Sequence, residues 1–108
     1  MSNFEVCEEM QKLRNYLDEH NIKWRDKSNK EVFVRKDNVD FSIYWMCRTK
    51  FEVKGNEFSV INGIGSHGGC LYAGATNHGL LECLTNNKSE GYLTADKVIK
   101  AVEAYAKK

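Results

Sequence analysis

At 108 residues and a net charge of +1, from 16 Lys and Arg against 15 Asp and Glu, the chain is sized for one domain. It has no whole-molecule field to draw in nucleic acid or an anionic membrane. Hydrophobic residues at 42% and charged residues at 29% are the proportions of a folded globular chain. No apolar run approaches the roughly 20 residues of a membrane span, and the polar, acidic start MSNFEVCEEMQK lacks the apolar core of a signal peptide. The expected location is therefore the cytoplasm, with Cys7, Cys47, Cys70 and Cys83 reduced.

The chain opens on a predicted helix over 3–20. Ser2 and Glu5 have the spacing of a capping box. Val6, Met10, Leu13 and Leu17 recur at the interval of one buried helical face. His20-Asn21 supplies the stop. Ile22–Asp26, with Trp24 as a core anchor, and Glu31–Arg35 read as strands on either side of a turn at Lys27–Lys30. Lys36-Asp37-Asn38 reads as a further turn.

Phe41–Val53 carries the strongest strand pattern. Phe41, Ile43, Trp45, Cys47, Thr49, Phe51 and Val53 alternate with Ser42, Tyr44, Met46, Arg48, Lys50 and Glu52, giving one apolar and one mixed face. Gly55-Asn56 marks a hairpin, and Glu57–Asn62 returns antiparallel. Leu80–Leu84 reads as a short apolar helix or strand, and Asn86–Glu90 as a polar loop. Thr94 caps a closing helix with Asp96 in its first turn. Leu93 and Val98 sit at the staple positions, and Val98, Val102 and Tyr105 form the buried stripe. The expected architecture is one α+β domain over 1–108. It is a three- to four-stranded antiparallel meander flanked by an N-terminal and a C-terminal helix.

The intervening segment GIGSHGGCLYAGATNHG holds six of the eight glycines. Gly63-Ile64-Gly65-Ser66-His67-Gly68 matches GxGxxG after a predicted strand, but the residues after Gly68 are not helical and too few remain for a dinucleotide fold. A looser expectation is that backbone N–H groups of Gly63, Gly65, Ser66, His67, Gly68 and Gly69 form an anion nest. Arg48 or Lys50 would then add charge for a phosphate. The alternative is a surface loop that needs positive φ at several positions.

His67, Cys70, His78 and Cys83 have donor types and end spacings that resemble a zinc site, although the order and central gap are unusual. The alternative is that both cysteines are buried apolar residues. No cofactor is expected. Glu52-Val53-Lys54 has the E-x-K form of metal-dependent nucleases. Its partner acid would be Asp37 or Asp40, and Asp40 stands at the other end of the same strand, about 40 Å away. Cys47 alternates into the apolar face, which argues against it as a nucleophile. On the other face, Tyr44, Met46 and Arg48 are residue types enriched at protein interfaces.

The runs Phe58–Gly69, Gly79–Glu82 and Gly91–Asp96, with the helix ending before Ile22–Asp26, resemble a pattern in small proteins encoded by bacteriophages and prophages. His67, Cys70 and His78 stand outside that pattern, which carries no reaction signature and transfers no functional residue. The resemblance implies a non-enzymatic binding protein that inhibits a bacterial defence component. It would grip a defence protein, as anti-CRISPR proteins do, or sequester a signalling nucleotide. The competing expectations are a small metal- or Cys/His-dependent enzyme and a homo-oligomeric structural or assembly protein, the latter because a small sheet has exposed edges.

Overall fold

The structure is a computed structural model and describes residues 6–34, 41–70 and 76–107. Helix α1 (Glu8–Glu19) leads into strands β1 (Trp24–Asp26), β2 (Asn29–Val34), β3 (Phe41–Val53), β4 (Asn56–Gly63), β5 (Leu81–Thr85) and β6 (Lys88–Leu93), and helix α2 (Ala95–Ala106) closes the chain. The strands form one antiparallel meander in the order β1, β3, β4, β5, β6, with β2 also pairing β3. The α+β fold is as expected, with one more hairpin than the sequence pattern predicts.

That hairpin is β5–β6. Asn86 and Asn87, at φ +49° and +65°, make a two-residue turn of the type whose backbone matches strand twist. Lys88–Glu90 is therefore strand and not loop. The β3–β4 turn uses Lys54 and Gly55 at φ +48° and +82°, one residue earlier than predicted. Asn56 already pairs with Val53 and donates from Nδ2 to the Val53 carbonyl at 3.2 Å.

β1 and β2 behave as one interrupted edge strand. Asp26 opposes Thr49 and Asn29 opposes Met46, so the register is unbroken across the expected turn at Lys27–Lys30. Ser28 causes the interruption. Lys27 N–H donates to the Arg48 carbonyl at 3.0 Å, whereas Arg48 N–H donates to the Ser28 hydroxyl at 3.0 Å and not to a carbonyl.

Both helices lie on the inner face of the sheet. Met10, Leu13 and Leu17 of α1 and Val98 and Val102 of α2 are buried against Cys47, Phe51, Phe58, Val60 and Leu81. Phe51 and Phe58 are direct cross-strand partners with rings stacked at 5.0 Å, and Tyr105 meets Phe58 edge-on at 5.2 Å. Each such side chain contributes about 1.5–3 kcal/mol by leaving water. Trp24 is only half-buried. Arg14 lies 4.6 Å from its ring centroid, and its Nε1 donates to Asp18 at 2.8 Å. Arg14 itself is buried and donates to the Thr49 hydroxyl at 2.8 Å.

Helix α1 begins at Glu8 and not at residue 3. Cys7 occupies the cap with no side-chain cap bond, and Ser2 and Glu5 lie outside the described residues. The start of α2 is as predicted. Thr94 accepts from Lys97 N–H at 3.4 Å, and Glu9 of α1 accepts from Ala95 N–H at 2.7 Å.

Candidate functional site

The helices cover one face of the sheet, and the other face carries the chemistry. Strand alternation and register set its rows. Arg25, Lys50, Ser59, Leu84 and Ser89 line up across the strands, as do Arg48, Ile61 and Glu82 in the next row. Lys27, bonded through its backbone to Arg48, extends that second row at the β1–β2 edge.

Residues 63–70 of the glycine segment lie against the far end of this face. Glu82 Oε1 accepts from His67 N–H at 2.8 Å, while Oε2 accepts from the Ser89 hydroxyl at 2.8 Å and lies 3.4 Å from His67 Nδ1. Tyr92 N–H donates to the His67 carbonyl at 3.1 Å, and the two rings sit 6.3 Å apart. A Cβ on Gly91 would run into the His67 side chain, so the strand passes beneath the loop only because that position is glycine. Within the loop, a Cβ on Gly69 would strike the Gly63 backbone and the Ser66 hydroxyl, and Gly68 takes φ +111°.

Of the six expected nest donors, five bond within the protein, all but Gly68 N–H. Gly65 N–H donates to the Cys70 carbonyl, Ser66 and Cys70 N–H to the Gly63 carbonyl, Gly69 N–H to the Ser66 carbonyl, and Gly63 N–H to the Ser66 hydroxyl. His67 N–H is held by Glu82. These loop donors are thus engaged by the protein itself, and the one anion they receive is its own carboxylate. The glycines serve tight folding and close approach.

Electrostatics agree. Burial pushes the Glu82 carboxyl up, but the His67 N–H, the Ser89 hydroxyl and the His67 ring outweigh it and hold its pKa below the ordinary value. Burial raises the thiols of Cys7, Cys47 and Cys70, and burial with nearby Glu90 pushes Cys83 up to about 11. None is poised as a thiolate nucleophile.

The His67, Cys70, His78 and Cys83 quartet is not assembled. His67 and His78 are exposed, Cys70 is buried in the loop, and Cys83 faces the helical core. Among the described residues, no three His, Cys, Asp or Glu side chains come together as metal donors. Met46, expected on a partner surface, is buried at 6% exposure opposite Gly63. Arg48 and Lys50 are half-buried on the outer face as expected, and the Tyr44 side chain lies outside the described residues.

Sequence reasoning missed Leu84 and Tyr92. At 48% and 58% exposure they are the exposed large hydrophobic residues of the described chain. Leu84 lies on the outer face, and Tyr92 borders it beside His67 at φ +56°, a left-handed conformation uncommon for a bulky residue. The run LLECL masks the first, since only the register shows which leucine points away from the core. Arg25 and Lys27 are hidden in sequence because their surroundings read as a strand end and a turn.

Among the described residues, no helix is long and apolar enough to cross a membrane. The chain matches no protein-family model, no curated protein and no solved structure.

Proposed function

We propose that this chain is a non-enzymatic binding protein that grips a protein partner with the outer face of its sheet. The observation that carries this reading is the placement of Leu84 and Tyr92. Leu84 projects into water from the face that bears Arg25, Lys27, Arg48 and Lys50, and exposed Tyr92 borders that face beside His67. Exposed apolar and aromatic side chains beside arginine are the anatomy of an interface core and its anchors. The cations favour a partner with an acidic surface, which speeds encounter and fixes orientation. Raised thiol pKa values and an unassembled donor cluster give an enzyme reading no support among the described residues.

The sequence resemblance to small phage-encoded proteins supplies the setting. In this reading the partner is a bacterial defence protein, neutralised by stoichiometric capture. The test is plaque formation on cells that carry a defence system and express the chain. Plaques restored by the native chain and lost with Leu84→Asp/Tyr92→Asp support the reading, provided the variant keeps its far-ultraviolet spectrum. Plaques equally restored by that variant oppose it.

A further inference from the structure

We propose that Lys27, Arg48 and Lys50 form a binding site for a phosphate group, at a place the glycine-rich sequence does not indicate. The proposal deepens the reading of the outer face as a binding surface and rests on it.

Three observations carry the site. First, the three cations are neighbours on one face. Lys27 is fastened to Arg48 through a 3.0 Å backbone bond, and Lys50 follows Arg48 on the same face of β3, about 7 Å along the strand. Second, of the neighbouring acids, exposed Glu52 follows Lys50 on the same face of β3, and the other three are engaged elsewhere. Glu57 holds Arg25 at 2.7 Å, Asp26 faces Arg14 and the Ser28 N–H on the inner side, and Glu82 holds the glycine loop. Among the described residues, none of the three cations has an acidic partner. Third, Arg48 Nε is shielded from water and has no hydrogen-bond acceptor among the described residues.

A buried charged donor without a partner is costly, and that cost disappears when the guanidinium turns its Nε–Nη edge onto an oxyanion. Three cations on one face match the charge of a phosphate, about −1.5 to −2 at neutral pH, better than that of one carboxylate. The glycine loop is a poorer cradle, because the N–H groups of Gly63, Gly65, Ser66, His67 and Gly69 already bond within the protein.

The test is a two-dimensional amide NMR titration of the full chain with inorganic phosphate, with adenosine monophosphate, and with acetate at matched ionic strength. Phosphate is expected to move the amides of residues 25–29, 46–50 and 59–61 saturably, and acetate is not. Equal affinity for adenosine monophosphate assigns recognition to the phosphate alone. Tighter binding of it adds a nucleoside contact beside the same site. Arg48→Lys keeps the charge but loses the fork, and is expected to weaken binding about fivefold. Lys27→Gln/Lys50→Gln leaves Arg48 in place and is expected to weaken it at least as much, whereas Lys100→Gln on α2 changes nothing. Absence of saturable shifts, shifts spread over the α2 lysines, or affinity unchanged in both site variants overturns the proposal. If phosphate fails while Leu84→Asp/Tyr92→Asp still abolishes partner capture, the phosphate site falls and the partner surface stands.

Discussion

Glu82 Oε1 and the backbone N–H of His67, 15 residues apart in sequence, meet at 2.8 Å and fasten the glycine loop to the outer face of the sheet. The Ser89 hydroxyl and the His67 ring complete the carboxylate's partners. Glu82→Ala leaves the His67 N–H without its charged acceptor and is expected to cost about 2 kcal/mol in urea denaturation. Glu82→Gln retains one acceptor and should lose roughly half as much. A fully stable Glu82→Ala would show that the loop is held by other contacts.

The same carboxylate sets a pH dependence. Its pKa in the fold lies below its ordinary value of 4.5, so the unfolded chain takes up the proton first as pH falls. The contribution is therefore complete above pH 4.5 and is lost as pH drops through the folded value. The stability difference between the native chain and Glu82→Gln should be constant at neutral pH and close in acid. A gap that persists unchanged to pH about 3 contradicts this assignment.

Gly91 and Gly69 should tolerate no side chain. Gly91→Ala places a methyl group against His67, and Gly69→Ala places one against Gly63 and Ser66. Each is expected to destabilise by about 1–3 kcal/mol, as overpacking does. Gly55→Ala meets open space and strains only a turn dihedral at φ +82°, so it should cost less. Thermal denaturation of the three variants ranks them directly.

Glu9 reaches from one helix to cap the other, accepting from Ala95 N–H at 2.7 Å. Glu9→Ala removes a charged acceptor from a helix N-terminus and is expected to cost about 1 kcal/mol. Thr94→Ala removes the local cap and should cost a similar amount. The two changes share one helix end, so the double variant should depart from additivity. Strict additivity would show that the caps act independently.

The parts of the fold that depend on local spacing are legible in the sequence. Met10, Leu13 and Leu17, the Cys47–Val53 alternation and the Thr94 cap all behave as their intervals require. Elements decided by distant partners are not. The capping-box pattern at Ser2 and Glu5 suggests an early helix start, yet the chain enters α1 at Glu8. Lys27–Lys30 resembles a turn, but pairing with β3 keeps it extended. The glycine segment stands out in sequence, yet its pattern suggests an open nest, because no local signal announces that Glu82 will occupy it. Leu84 and Tyr92 are invisible as surface residues until the register of β4, β5 and β6 is known.

The central claim is that the outer face, and not the helical face, holds a protein partner. Quantitative capture from bacterial lysate, with the captured mass identified and footprinted on the chain, tests it most directly. The account predicts a stoichiometric partner whose footprint covers Leu84, Tyr92, Lys27, Arg48 and Lys50. Capture should fall at least tenfold with Leu84→Asp/Tyr92→Asp, equivalent to about 1.4 kcal/mol, and stay unchanged with Lys97→Glu/Lys100→Glu on α2. A partner that footprints α2, or that remains bound to the outer-face variant, would contradict it.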